Sequence, residues 1–203
     1  VLPHPPRTIP SSRSLAKAQP GRENAMVKLI SLILYKHKED NSVELVSCMD
    51  LAAWGFFHRG PIKEHIKFHS RLVVSRTEVG RRQSVEFEQN LGKCHSYATK
   101  EGLGATVLVD AEYPTRVAFS LLSEALRIFA EKGAGKWEDK ADADLDLQIP
   151  ELQALFVKFQ DPTEADKLTK IERDLEDVKG TVMQSMDDLL KRGENLDALM
   201  QKS

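Results

Sequence analysis

The 203 residues carry 29 basic against 31 acidic side chains, a formal charge of -2, with 41% hydrophobic residues; this describes a globular chain of one ordinary domain plus an appendage, with no electrostatic case for a nucleic-acid partner. Two cysteines, Cys48 and Cys94, without CxxC spacing, and the lack of an Asn-x-Ser/Thr sequon fit a reducing, cytoplasmic compartment better than a secreted one. The longest apolar run, residues 29–35 broken by Ser31, falls well short of the roughly 20 residues that span a bilayer.

Residues 1–25 are rich in Pro, Ser and Arg and hold no acidic side chain before Glu23, which predicts a disordered extension. An organellar leader is a poorer fit, because prolines break the segment and it has no amphipathic stripe. Met26 opens the first patterned stretch, and Val1 is no initiator, so an upstream extension is expected.

From there residues 27–35 read as a central strand, turning through residues 38–42 into a second strand at 43–48. Gly60 and Pro61 then introduce a helix bearing Ile62, Ile66, Phe68, Leu72 and Val73, with Pro61 in its first turn and an end near Ser75. A polar loop at 77–82 precedes three strand-like segments, residues 84–89, 93–99 and 105–110, with Gly92, Gly102 and Gly104 expected in turns. The next helix follows Pro114, where Val117, Leu121, Leu122, Ala125, Ile128 and Phe129 recur at helical spacing, and Gly133 and Gly135 stop it. An acidic loop, 137–146, leads to a short packed helix at 150–159 with Leu152, Leu155, Phe156 and Phe159. The order implies an α+β domain with a five-stranded sheet and helices on its faces.

Several chemical constellations fail on inspection. His65 and His69 lie four apart on one helix face, but Glu64 precedes the first His, so no HExxH site is present. Asp142, Asp144 and Asp146 imitate the start of a calcium loop, yet Leu147 and Gln153 stand where Gly and a bidentate Glu are needed. Gly102-Leu-Gly104 and Gly133-Ala-Gly-Lys136 are incomplete phosphate loops, and no serine sits in GxSxG. The expectation is a binding protein without catalytic residues, metal or cofactor.

The tail carries the strongest pattern. Steps of three and four from Leu168 reach Ile171, Leu175, Val178, Val182, Ser185, Leu189, Arg192, Leu196 and Leu199, a heptad seam on a helix of about 50 Å flanked by charged residues. Thr163 with Asp166 resembles a capping box that starts this helix. Arg192 is the informative residue, because a cation closed inside a helical bundle needs matched acceptors and so fixes register and partner number. On the seam alone, a homodimeric coiled coil with one tolerated arginine remains open.

Leu189-Leu-Lys-Arg-Gly-Glu-Asn-Leu196 resembles the centre of an R-SNARE motif, with Arg192 at the family's ionic-layer position. Asp161-Pro-Thr-Glu-Ala-Asp-Lys-Leu168 and Asp174-Leu-Glu-Asp-Val-Lys179 are similar to the start of that motif in longin-domain SNAREs, especially the soluble prenylated type of Golgi, endosomal and vacuolar fusion. Asp110-Ala-Glu-Tyr-Pro-Thr-Arg-Val-Ala-Phe119 and Phe56-Phe57-His58-Arg59 resemble longin signatures, and the likeness extends over residues 26–203, least closely at 131–148.

Beyond the extension at 1–25, the resemblance implies a longin (profilin-like) domain at 26–160 and an incomplete R-SNARE motif at 161–203. It implies Arg192 as the ionic layer, Leu168, Ile171, Leu175, Val178, Val182, Ser185, Leu189, Leu196 and Leu199 as partner-helix layers, and Q-SNARE helices as partners. It also implies a closed form in which the longin domain holds its own SNARE segment in a groove lined by Phe68, Val85 and Phe87. The family's prenyl or palmitoyl anchor sits on C-terminal cysteines that these residues do not include, so truncation is expected. The other function compatible with the pattern is a longin-type trafficking adaptor with a self-associating coiled-coil tail.

Overall fold

A computed structural model of the protein describes residues 28–87, 91–138, 143–163, 165 and 181–192. The extension at 1–25 lies outside this set, as do residues 166–180 and 193–203 of the tail.

Strand β1 (Leu29–Lys36) is apolar on both faces because both faces are covered. Leu29, Leu32 and Leu34 join one buried cluster, while Ile30, Ile33 and Tyr35 join the other. The three-residue step from Ile30 to Ile33 breaks strict alternation, and the ladder to β5 absorbs it with a register shift between Leu29 and Ser31. Around β1 lie β2 (Val43–Met49), β3 (Arg82–Glu86), β4 (Lys93–Ala98), β5 (Leu103–Val109) and β6 (Val182–Ser185), in the order β2-β1-β5-β4-β3-β6. All neighbouring pairs are antiparallel except β3 and β6, which run parallel.

The α+β architecture expected from the element order is present, and the sheet is mixed. Its sixth strand corrects the expectation of five: β6 comes from the middle of the heptad segment, where a continuous helix was predicted. An edge strand offers unpaired N–H and C=O groups, and the β-branched, apolar start of β6 can take them up.

Helix α1 (Phe56–Ser75) covers one face of the sheet, and α2 (Thr115–Lys132) with α3 (Pro150–Lys158) covers the other. On α2, Val117, Leu121, Leu122, Ala125 and Phe129 are buried as the spacing predicts, with Lys132 in the last turn where a cation suits the helix dipole. The hydroxyl of Tyr113 donates to the Phe159 carbonyl at 2.7 Å, tying the start of α2 to the end of α3.

Three local expectations are corrected. Helix α1 begins at Phe56, five residues before Pro61, since this exposed turn loses only one intrahelical bond to the proline. Gly104 lies inside β5, because α1 crosses so closely that a Cβ would stand 2.5 Å from Val74 Cγ2. After α3, the Asp161 carboxylate accepts the Thr163 N–H at 2.8 Å, so Asp161 is the cap with Pro162 following it; Asp166, the partner expected for Thr163, lies outside the described residues.

Candidate partner-helix groove

The groove lies between α1 and β3, which would be a sheet edge without β6. Along α1, Ile62, Ile66, Val73 and Val74 recur on one face and turn toward Val85, Phe87, Cys94 and Leu108 of the sheet side, with Trp54 buried in the same cluster. Its thiol, Cys94, is raised to about 12 by burial, which makes it an inert part of the floor.

The tail occupies this groove. Gln83 to Glu86 align in register with Val182 to Ser185, and helix α4 (Met186–Arg192) follows at once. Met186 is 2% exposed and Leu189 is fully buried, both within the cluster that α1 forms with this face of the sheet, Val85 of β3 included. Burying two such side chains stabilises the docked tail by about 2 kcal/mol each before ordering costs. The strand ends because Ser185 starts a helix: its hydroxyl accepts the Asp188 N–H at 3.2 Å while the Asp188 carboxylate accepts the Ser185 hydroxyl at 2.7 Å and its N–H at 3.4 Å. That reciprocal pattern is a capping box, with Asp187 and Asp188 in the favourable first turn.

Among the predicted groove residues, Val85 and Phe87 are buried beside Met186 and Leu189. Phe68 is not; it is 60% exposed, and this corrects its expected place in the groove wall. Two residues beyond Ile66 is about 200° around the helix, so Phe68 points away when Ile66 points in. Its ring instead meets His69 edge-on at 5.1 Å, and His69 is the residue that reaches Phe87, at 5.7 Å.

Of the seam residues, Leu189 is buried in the groove, whereas Val182 and Ser185 sit on β6 and are exposed, contrary to their expected place on a helix. Arg192 is the last residue of α4. Leu168, Ile171, Leu175, Val178, Leu196 and Leu199 lie outside the described residues. Met186 and Trp54 are groove residues that the heptad pattern did not single out. The Ser185-x-x-Asp188 spacing was the available signal that a helix starts after residue 185.

His65 and His69 stack along α1 with ring centroids 4.0 Å apart, and His69 Nδ1 donates to the His65 carbonyl at 2.8 Å. Burial, helped by the neighbouring His69, lowers His65 to about 4, and burial also lowers His69, so both are neutral at pH 7. The pair packs as an aromatic element of the groove. Among the described residues no group of three His, Cys, Asp or Glu side chains could hold a metal ion, and no helix is long and apolar enough to cross a membrane.

The sequence model of the longin family, described as a regulated-SNARE-like domain, matches residues 51–150. The chain is 34% identical over 178 residues to the synaptobrevin homolog YKT6 of Yarrowia lipolytica, covering 87% of this chain and 88% of that protein. It is 38% identical over 179 residues to the VAMP-like protein YKT61 of Arabidopsis thaliana and 37% identical over 179 residues to the putative synaptobrevin homolog YKT6 of Dictyostelium discoideum, with the same 87% and 88% coverage in both cases. With the tail of a SNARE motif seated on a longin-type sheet and this likeness running along most of its length, the chain belongs to the longin-domain R-SNAREs of the YKT6 synaptobrevin-homologue type, which act in vesicle traffic.

Proposed function

We propose that the protein alternates between a closed form, with its tail in the longin groove, and an open form in which residues 161–203 supply one helix to a four-helix bundle with three Q-SNARE helices. The observation that carries this reading is the burial of Met186 and Leu189 between α1 and β3. Leu189 is also a seam position, so the same side chain cannot fill the groove and a bundle layer at once. In the bundle the segment 182–185 becomes helical, and Val182, Ser185 and Leu189 align on the seam with Leu168, Ile171, Leu175, Val178, Leu196 and Leu199.

Arg192 meets glutamine side chains whose carbonyl oxygens accept its donors without adding charge, and a shifted bundle leaves a desolvated cation. The mechanism is differential binding with no catalytic step: partners that bind only the open tail shift the equilibrium by their own affinity. A prenyl or palmitoyl anchor of the kind the family resemblance implies couples assembly to Golgi, endosomal or vacuolar membranes.

The test is assembly of the chain with Q-SNARE helices, compared with Arg192→Ala. One tail per mixed bundle is expected, and the variant should lose discrimination between Gln-bearing and Gln-less partner sets by about tenfold. Two identical tails per assembly, or equal discrimination by both proteins, would contradict the reading and favour a self-associating adaptor.

A further inference from the structure

At the start of α1 the structure presents a feature that the groove does not use. The rings of Phe56 and Phe57 are 78% and 89% exposed, and they meet edge-on with centroids 5.6 Å apart. All seven residues 55–61 are exposed, so the two rings form a projecting knob rather than the wall of a cleft. Large apolar side chains scattered singly on a surface are ordinary, but two adjoining aromatic rings at a projecting turn are not.

Arg59 and Lys63 are the charged residues closest to the knob in the chain, with Glu64, i+7 from Phe57, the first acidic residue after it. No Asp or Glu occurs between Asp50 and Glu64, whereas His58, Arg59 and Lys63 fall within that stretch. Phe56, Arg59 and Lys63 follow i, i+3, i+7 spacing and so share one helix face, with Phe57 beside it. The Arg59 Nε donates to the Trp54 carbonyl at 3.0 Å, which holds that side chain next to the rings. No acidic residue stands in the first turn of the helix.

We propose that Phe56, Phe57, Arg59 and Lys63 form a contact surface for an anionic phospholipid bilayer, with the two rings entering the acyl boundary and the cations meeting headgroup phosphates. A convex apolar tip with two cations on its Phe56 side fits a flat, deformable, negatively charged surface. A second copy of the chain is a poorer occupant, because a two-fold contact through this patch would bring its own cations together. Two rings and two fixed cations give weak, reversible binding, suited to holding the domain against a membrane that another device has already selected. The contact needs neither the docked tail nor a lipid chain on the protein.

The test uses the whole chain in co-sedimentation with phosphatidylcholine vesicles made with and without phosphatidylserine. Binding should be stronger with phosphatidylserine, fall about tenfold in Phe56→Ser/Phe57→Ser, and fall about fivefold, with reduced salt sensitivity, in Lys63→Glu. The exposed positions should leave circular dichroism and the melting temperature unchanged. As a variant that keeps the apolar tip, Phe57→Trp should show blue-shifted emission on vesicles and quenching by brominated acyl chains. The proposal is overturned if the double Ser variant binds vesicles like the parent chain, if Phe57→Trp emission does not respond to vesicles, or if the parent chain binds no vesicles. It is equally overturned if the rings prove to mediate a dimer that the double variant abolishes while vesicle binding is untouched.

Discussion

At the β2 edge of the sheet, the loop before α3 lies along the strand: Leu145 and Leu147 donate to the carbonyls of Glu44 and Leu45 at 2.8 and 2.9 Å, and the Asp144 carboxylate accepts the Glu44 N–H at 3.0 Å. Asp144 of the cover also pairs with Arg71 of α1, and beneath it the Glu44 carboxylate of β2, 3% exposed, takes Lys67 Nζ of α1 at 2.6 Å. At the β3 edge the cover is the tail itself, held by the four-residue ladder of β6 and by Met186 and Leu189. Both edges thus avoid open pairing, but the first is closed by a loop within the domain and the second by the segment that carries the SNARE seam. The β2 cover is held by backbone hydrogen bonds within the domain and by the Asp144 carboxylate, and none of its residues belongs to the seam, whereas the β3 cover includes the seam residue Leu189. Under the proposed exchange, the β3 edge is where partners act, while the β2 cover stays in place.

The comparison can be broken at either edge. The largest effect is expected from Leu189→Asp, which places a carboxylate in an apolar groove and should shift docking by about 3 kcal/mol toward the open form. Hydrogen exchange should then lose protection across residues 182–190 while Leu145 and Leu147 keep theirs. Loss at both edges would mean that the two covers are one cooperative unit.

Somewhat smaller is Lys67→Ala, which leaves Glu44 buried without its cation; because Lys67 is partly exposed, a loss of about 2 kcal/mol in denaturant stability is expected. Adding Glu44→Gln should recover most of it. Tail protection should fall only as far as global stability does.

Acid should weaken the fold through histidines. Burial lowers His95 to about 4 and His65 to about 4, against an unfolded value of 6.5, and burial also lowers His69. The unfolded chain therefore binds more protons as pH falls from about 6.5 toward 4, and stability declines through that window. His95→Gln should flatten the decline by about 1–2 kcal/mol at pH 5, provided that the glutamine keeps the bond which His95 Nδ1 makes with Ser84 Oγ at 2.7 Å. An unchanged pH profile would exclude His95 as a source.

The smallest effect belongs to Ser185→Ala, which removes the capping box of α4 and should cost the docked tail about 1 kcal/mol. Faster exchange confined to residues 186–190 would check it.

Much of the domain was legible because the local pattern and the tertiary context agree. The residues 29–35 could only be a strand covered on both faces, and the helical spacing from Val117 to Phe129 survives intact in α2. Val85 and Phe87, which the family resemblance implied for the sheet side of the groove, lie in the buried cluster on that face. On its helix side the resemblance implied Phe68, yet Phe68 lies two residues beyond the inward-pointing Ile66 and is exposed, a placement that helical geometry on this chain decides. The tail is the instructive failure: Val182-Met-Gln-Ser185 satisfies a heptad seam and an edge strand equally well, and only the unpaired edge of β3, formed a hundred residues earlier, selects the strand. A segment that satisfies two patterns cannot be ranked by a single periodicity.

The most direct measurement is hydrogen exchange of the chain alone and after addition of three Q-SNARE helices, followed at residues 83–86 of β3 and at residues 186–190 of α4. Exchange of the tail predicts that in isolation both segments are protected, and that on bundle formation residues 83–86 lose protection while residues 186–190 gain it. Protection of both segments within the same bundle would contradict the account, because it would mean that the tail joins its partners without leaving the groove.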